Sequence, residues 1–375
     1  MNDRIFANCI PDPLPIGSYN PKDVIFLLKN LNGLMAETDL QTREKNMQSG
    51  GHYSEMLPIE YEPTKEYLEL FHLTLRESAA KVAEGVGIVA ESILKRKGPN
   101  MVLVSLARAG TPIGVLIKRY LLEIHDLDLP HYSISIIRGK GIDENAILYI
   151  LQNHPDSNIQ FIDGWTGKGA ITSVLSQACT EFKVKYGVEL DDDLAVLADP
   201  GYCVKTFGTR EDFLIPSACL NSIVSGLVSR TVFRPELIGE NEFHGARFYQ
   251  ELLKEEVSNL FVDTISAEFK TLRLRHSGVY ASDNQVDDEV EVTWRGLKAL
   301  TRIQETFGIT NINFIKPGIG ETTRVLLRRL PERILVDHLE NPNLKHILLL
   351  ANDKGIPVEE YPNLTYSCCG LVKQI

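Results

Sequence analysis

Short apolar runs alternate with helical patterns along residues 101–198, and this alternation constrains the fold more than any other feature of the sequence. Buried strands are predicted at four places: Met101–Leu106, Tyr132–Ile137, Ile159–Ile162 and Leu194–Ala198. The segments between them place apolar residues three and four positions apart, which predicts helices. Repeated strand–helix–strand units form right-handed crossovers and a mainly parallel sheet. We therefore predict an α/β, doubly wound fold of this kind, with ligands bound at the carboxyl ends of the strands.

Weaker patterns flank this core. A long amphipathic helix is predicted from about Thr64 to Lys97, and a shorter helix near Asp23–Leu34, which together give a helical N-terminal extension of the main domain. A polar, acidic stretch that contains Ser282–Glu289 predicts a linker, and a smaller α/β unit follows it. The predicted division of the chain is an N-terminal extension at 1–98, a core at 99–273, a linker at 274–291 and a C-terminal domain at 292–375.

Composition limits the classes of function. Of the 375 residues, 43% are hydrophobic and 24% charged, as in globular proteins with buried cores. Apolar runs fall short of the ~20 residues of a membrane span, and the N-terminus lacks the apolar segment of a signal peptide, so we expect a cytoplasmic protein. The net charge of −11 argues against a chain that clamps nucleic acid along its whole length, but allows a local basic face. The six cysteines lack metal-like spacing, so reduced thiols are expected.

Two loops that follow predicted strands are rich in small and cationic residues. The first contains Arg108, Gly110 and Thr111 directly before a predicted helix, where backbone amides and the helix dipole favour an anion. The second contains Arg138 and Lys140 among glycines, which indicates a mobile cationic segment.

A third loop joins Asp163 to a helix start through Thr166, Gly167, Lys168 and Gly169. It lacks the upstream glycine and the following Ser or Thr of a Walker A loop, so an ATPase of that type is not expected. A carboxylate followed by Thr-Gly-Lys-Gly suits a phosphate held by backbone amides, with the carboxylate reaching sugar hydroxyls or a metal.

The ordered trio of loops resembles the type I phosphoribosyltransferases, although Gly164 stands where that family usually has a second acidic residue. The resemblance implies transfer of phosphoribose from 5-phosphoribosyl 1-diphosphate, with Mg²⁺ as cofactor and Asp163 as a candidate metal ligand. It implies catalytic roles for Arg108, Arg138, Lys140 and Asp163. It implies phosphate binding by Gly110, Thr111, Thr166, Gly167, Lys168 and Gly169.

The wider chain resembles a bacterial family known as StiP, which is associated with tellurite-resistance and stress-response gene clusters. The matching stretches include Gly17–Tyr19, Gly51–Leu57 and Ser217–Ser222. The part that begins at Lys316 resembles a Pelota-type RNA-binding domain, which implies a structured RNA as partner. The residues expected to contact RNA are Lys316, Gly318, Gly320, Arg324 and Arg328. The alternatives for the helix face that carries Arg324 and Arg328 are a merely solvated surface, or docking against the main domain.

Other functions stay open at this point. The pocket could bind a nucleotide without turnover, which would make the protein an RNA-tethered sensor. The StiP name also carries a cysteine-protease label, for which Cys219 could pair with His244 as thiolate and imidazole. Small buried cysteines are common, so the sequence ranks phosphoribosyl transfer first and proteolysis last. His52 and Tyr53 could serve a ligand or only pin a loop.

Overall fold

The computed structural model describes residues 10–39, 42, 45–46, 49–60, 62–276, 290–328 and 331–372. The helices are α1 (Lys65–Lys97), α2 (Gly110–His125), α3 (Glu144–Asn153), α4 (Ala170–Tyr186), α5 (Ser258–Ser266), α6 (Phe269–His276), α7 (Arg295–Thr306), α8 (Gly318–Arg328) and α9 (Lys345–Asp353). The strands are β1 (Ile25–Phe26), β2 (Lys29–Asn30), β3 (Glu37–Thr38), β4 (Leu57–Pro58), β5 (Met101–Ala107), β6 (His131–Ile137), β7 (Gly141–Ile142), β8 (Asn158–Trp165), β9 (Leu194–Ala198), β10 (Thr206–Thr209), β11 (Gly245–Ala246), β12 (Ile315–Pro317), β13 (Pro331–Val336), β14 (Val358–Glu360) and β15 (Cys368–Val372).

The main sheet has the strand order β1-β6-β5-β8-β9-β10 and every pair along this path is parallel. The short β7 adds an antiparallel pairing to β6. The predicted α/β class and mainly parallel sheet are therefore confirmed, and the four predicted central strands are present. The finer assignment to the phosphoribosyltransferase fold stays a prediction.

Both faces of the sheet are buried, as its apolar strands require. In β5, Leu103 packs with α1 and α2 on one face, whereas Val102 and Val104 pack with α3 and α4 on the other. Successive side chains of a strand point to opposite faces, so a continuous apolar run is what a sheet covered on both sides needs.

The prediction of a helix near residues 23–34 is wrong, because this segment forms β1 and β2. Ile25 pairs with Tyr132 of β6, and Lys29 pairs with Gly245 of β11. Phe26 enters the same core as α1, whereas Leu27 enters the opposite core. This alternation has the strand period of two, and the long-range pairing overrides the helical pattern of the segment.

The C-terminal domain has a four-stranded sheet in the order β12-β15-β13-β14. Ile334 and Val336 point toward α8, α9 and the main domain, whereas Leu335 points toward α7. Helices α8 and α7 therefore lie on opposite faces of this sheet, and the α8 face shares a hydrophobic core with the main domain.

The described part of the chain contains no helix that is long and apolar enough to cross a membrane.

A glycine in α2 allows this helix to lie directly on the sheet. A Cβ atom on Gly114 would lie 2.0 Å from Ser105 Oγ and 2.4 Å from His131 Nε2, and these two buried side chains hydrogen-bond to each other at 2.7 Å. We predict that Gly114→Ala lowers the free energy of unfolding by about 1–3 kcal/mol or more through overpacking. Glu123→Ala, on an exposed position of the same helix, should change it by less than about 0.5 kcal/mol. Equal urea midpoints for the two variants would contradict this packing.

Candidate functional site

The first predicted loop, which contains Arg108, Gly110 and Thr111, makes contacts within the main domain. The Arg108 guanidinium donates to the Val228 carbonyl at 3.3 Å and lies 3.8 Å from a Glu60 carboxylate oxygen. Gly110 packs closely on β8, since an added Cβ would lie 2.4 Å from the Ile162 carbonyl oxygen. These contacts leave a role of this loop in anion binding as a prediction.

The second loop is held by the segment that contains His52 and Tyr53. The Arg138 amide donates to the Tyr53 hydroxyl at 2.8 Å, and Lys140 Nζ lies 3.5 Å from a Glu55 carboxylate oxygen. His52 Nδ1 lies 2.8 Å from Ser54 Oγ and the ring caps the short helical turn that follows. In this structure the His52–Tyr53 pair therefore pins a loop.

Asp163 is buried, and its carboxylate accepts a hydrogen bond from the Gly164 amide at 2.7 Å. Burial raises the pKa of Asp163 to about 7, and the charge of Arg138 opposes this shift. Among the described residues no group of three or more His, Cys, Asp or Glu side chains could hold a metal ion. Mg²⁺ is commonly held by one or two carboxylates together with water and substrate phosphates, so the role of Asp163 as a metal ligand stays a prediction.

The third loop is engaged by neighbouring segments. The Gly167 carbonyl accepts a hydrogen bond from the Tyr366 hydroxyl at 3.0 Å, and Lys168 Nζ donates to the Ile312 carbonyl at 2.8 Å. Both partners belong to the C-terminal domain. Burial lowers the pKa of Lys168 to about 8. The loop is thus a contact surface between the two domains.

A buried carboxylate, Asp199, joins the third loop to the loop after β9. It accepts hydrogen bonds from the Thr166 hydroxyl, the Arg210 guanidinium, and the amides of Cys203 at 2.9 Å and Val204 at 3.0 Å. Burial raises its pKa, whereas these donors and the positive charge of Arg210 lower it. The network fixes the backbone of Cys203 beside the start of α4.

Cys203 is one of the residues that line a surface groove with a volume of about 760 Å³. One side of the groove is a face of α4 that carries Thr172, Ser176 and Thr180. These positions span about 12 Å along the helix, which is room for three or four residues of an extended peptide. Trp294 also lines this groove.

The Cys203 thiol is protonated in this arrangement. Its Sγ lies 3.6 Å from the Gly167 carbonyl oxygen, to which it donates. Burial and, to a smaller extent, the negative charge of Asp199 raise the pKa of Cys203 to about 12, while the Thr166 hydroxyl opposes this shift. Sγ also lies against Gly169, because a Cβ built on that glycine would come within 2.9 Å of it.

Cys219 and His244 do not form a pair. Cys219 is fully buried near Arg324, and burial raises its pKa to about 12. His244 Nδ1 instead lies 2.9 Å from Ser135 Oγ, and the His244 amide donates to Asp143. Among the described side chains, each hydrogen-bonded histidine ring has a partner other than cysteine. The remaining described cysteines, Cys179, Cys368 and Cys369, are buried, and Cys9 lies outside the described residues.

Three of the five residues predicted to contact RNA, Gly318, Gly320 and Arg324, lie where the C-terminal domain meets the main domain. Arg324 Nε donates to the Ala218 carbonyl at 2.7 Å. Gly318 packs against Trp165 and Asp212, and Gly320 against Ala218. Lys316 is half-buried on β12 of the same domain. The side chain of Arg328 is outside the described part of the structure.

Asp212 joins the two domains, whereas the sequence suggested only that Glu55, Asp199 or Asp212 could hold a metal. The Asp212 carboxylate accepts hydrogen bonds from the amides of Ile319 at 3.0 Å and Ser367 at 2.9 Å, both in the C-terminal domain. The structural role of Asp199 was not predicted either, although it directly follows the buried strand β9 and precedes a Pro-Gly pair. The same signal, an aspartate at a strand end followed by glycine, singled out Asp163.

The fold and the groove define a two-domain α/β protein with a cysteine beside the domain junction. A family model described as "Tellurite-like stress resistance cysteine protease StiP" matches residues 17–266, and a "PELOTA RNA binding domain" model matches residues 294–374. A curated relative from Acinetobacter baylyi, named "Cysteine protease StiP", is 33% identical over 352 residues, which are 92% of this chain and 90% of the relative. The chain belongs to the StiP family and carries a Pelota RNA-binding domain.

One solved structure was also compared with the chain. It is the crystal structure of a hypothetical protein from Neisseria gonorrhoeae with bound ppGpp, and it is 16% identical. The match covers 33% of this chain and 68% of that chain, with a TM-score of 0.21. A likeness this small carries no argument about fold or ligand.

The comparisons confirm the resemblance to StiP and to a Pelota-type domain, and they overturn the predicted activity. The prediction of a phosphoribosyltransferase is wrong, because the relative that matches 92% of the chain is named a cysteine protease, the function that the sequence ranked last. The structure gives a physical reason for the misleading pattern. Thr166 and Lys168 look like phosphate ligands in sequence, but they bind Asp199 and the Ile312 carbonyl.

The buried carboxyl groups predict how stability depends on pH. Burial raises the pKa of Asp212 to about 7 from its ordinary value of 3.8. Between these values the native state binds more protons than the unfolded state, so stability should fall as pH rises, by at most about 1.4 kcal/mol per pH unit for one group. The thermal midpoint of wild type should therefore fall between about pH 5 and about pH 7.5, and it should fall by more than that of Asp212→Asn.

Asp163 titrates over the same range, so Asp163→Asn is the matched variant. Each substitution should remove part of the pH dependence, since each removes one buried titrating group. A midpoint that varies with pH identically in wild type and in Asp212→Asn would show that Asp212 is already ionised in the folded protein at pH 5.

Proposed function

We propose that this protein is a cysteine protease whose nucleophile is Cys203, and that its C-terminal domain binds structured RNA. The observation that carries the protease assignment is the 33% identity, over 92% of the chain, to a protein named as a cysteine protease. The groove beside Cys203 supports the choice of nucleophile, because a protease must bring an extended peptide to its thiol. Cys179, Cys219, Cys368 and Cys369 do not line this groove.

The surroundings of Cys203 support acyl transfer at this position. The amides of Ala170, Ile171 and Thr172 lie in the first turn of α4, where backbone N–H groups have no partner within the helix. Such donors stabilise the oxyanion that forms when a thiol attacks a peptide carbonyl. Gly169, against which Cys203 Sγ lies, immediately precedes this turn.

The proposed reaction has two steps. In the first, the sulfur of Cys203 bonds to the carbonyl carbon, the peptide C–N bond breaks, and the thiol proton ends on the leaving amine. In the second, the oxygen of a water molecule bonds to the thioester carbon, the C–S bond breaks, the new carboxylic acid leaves, and a proton of that water restores the thiol. Because the pKa of Cys203 is about 12 in the resting structure, substrate entry must change the surroundings of the thiol before it reacts.

The test is proteolysis of an unstructured protein such as casein by the full-length chain. Cys203→Ser should abolish cleavage, because the hydroxyl is a far weaker nucleophile at this site. Cys179→Ser is the matched control, since Cys179 is also buried with its pKa raised to about 12 but does not line the groove. Both variants should keep the thermal midpoint of wild type within a few degrees.

Two outcomes would contradict different parts of this assignment. Cleavage that survives in Cys203→Ser but disappears in a serine variant of another cysteine would move the nucleophile and keep the protease. Absence of thiol-dependent cleavage from wild type against casein and against denatured proteins would reject the activity itself.

RNA binding by the C-terminal domain is supported by the family model that matches residues 294–374. The test is fluorescence anisotropy of a labelled RNA hairpin with the full-length protein at increasing salt. We expect log affinity to fall linearly with log salt concentration, by about 0.7–0.9 for each phosphate contacted. No binding at low salt would reject this part of the proposal.

A further inference from the structure

Helix α7 presents a row of cations to solvent. Arg295, Lys298 and Arg302 are exposed, whereas Leu300 and Ile303 of the same helix are buried in the C-terminal domain. At 100° per residue the three cations fall within about 60° of one another around the helix, and they span about 10 Å along it. We name this row the α7 cationic face.

None of these three cations has an ion-pair partner among the described residues. The ion pairs described within the C-terminal domain join Arg333 to Glu332 and Glu359, and His338 to Asp337, and none involves Lys298 or Arg302. The acidic residue nearest in sequence on the exposed side of α7 is Glu305, one turn after Arg302. Lys298 and Arg302 thus form a local positive surface on a chain whose net charge is −11.

Arg295 links this face to the main domain. Its guanidinium lies over the Tyr202 ring, 5.6 Å from the ring centroid, and the Trp294 amide donates to the Tyr202 carbonyl at 3.0 Å. The start of α7 is thus fixed on the main domain, while Lys298 and Arg302 project along the helix away from this anchor.

The opposite face of the domain is covered. Helix α8 packs against the main domain, where Arg324 donates to the Ala218 and Leu220 carbonyls at 2.7 and 3.4 Å. A backbone carbonyl holds the guanidinium and competes with an RNA phosphate for it. Helix α7 lies across the sheet from α8, and its Leu300 and Ile303 join the core of the C-terminal domain, whereas Ile319 and Leu326 of α8 join the core shared with the main domain.

We propose that the α7 cationic face, with Lys298 and Arg302 as its two central contacts, is the surface on which this protein binds the phosphate backbone of folded RNA. This inference rests on the RNA binding proposed above and assigns that binding to a particular helix. A row of exposed cations with a spacing of one turn suits a backbone recognised by shape and charge more than by sequence.

The experiment compares two full-length double variants that lose the same charge. Lys298→Gln with Arg302→Gln removes the centre of the α7 face. Lys345→Gln with Lys354→Gln removes two exposed cations from α9 and the residue after it, in the same domain. The probe is a labelled RNA hairpin, and its anisotropy is measured from about 50 to 200 mM salt.

The α7 variant should bind the hairpin more weakly, and its salt slope should be lower than that of wild type by about 1.4–1.8, the share of two phosphate contacts. The α9 variant should keep the wild-type slope within about 0.5. Equal slopes in wild type and the α7 variant would overturn the assignment of this face while leaving RNA binding intact.

Two other outcomes would overturn the RNA assignment in different ways. If wild type does not bind the hairpin at any salt concentration, the proposed RNA binding fails and the α7 assignment fails with it. Wild type could instead fail to bind RNA but bind a poly-glutamate peptide, with that binding lost in the α7 variant. In that case the α7 cationic face binds an acidic protein, and the RNA assignment is overturned.

Discussion

The buried carboxylate of Asp199 determines how the loops at the carboxyl edge of the main sheet are arranged. Thr166 comes from the loop after β8, and Cys203 from the loop after β9, and both donate to this one side chain. Arg210 supplies the opposite charge, with its guanidinium stacked 3.8 Å from the centroid of the Phe207 ring. Removing one partner of such a buried pair typically costs about 3–5 kcal/mol, so the position of the Cys203 backbone depends strongly on this carboxylate.

The same edge of the sheet receives the C-terminal domain. The Gly167 carbonyl lies at the centre of this junction, because it accepts hydrogen bonds from both Cys203 Sγ and the Tyr366 hydroxyl. Movement of the C-terminal domain would change the surroundings of this carbonyl and therefore of the thiol. Tyr366 of the RNA-binding domain and the proposed nucleophile Cys203 thus share one hydrogen-bond acceptor, the carbonyl oxygen of Gly167.

The central strands could be predicted from sequence because the apolar residues that bury each strand lie within that strand. The run from Met101 to Leu106 is apolar at nearly every position, and only a strand covered on both faces needs that. The segment at residues 23–34 could not be predicted in this way, since β1 and β2 exist through pairing with strands more than 100 residues away. At the site, the sequence placed Asp163 and Thr166 at a strand end, but the partner of Thr166 lies 33 residues further along the chain.

The error about activity has a physical origin in the chemistry of helix starts. Glycines before α4 leave backbone amides free at a positive dipole end, and such a site stabilises negative charge whatever its source. A bound phosphate and the oxyanion of a tetrahedral intermediate are both anions of this kind, so the sequence of the loop at Asp163–Gly169 cannot separate them. The distinction comes from the side chain brought to the same amides from another strand. Here that side chain is the thiol of Cys203, held against Gly169 by a carboxylate that the loop sequence does not contain.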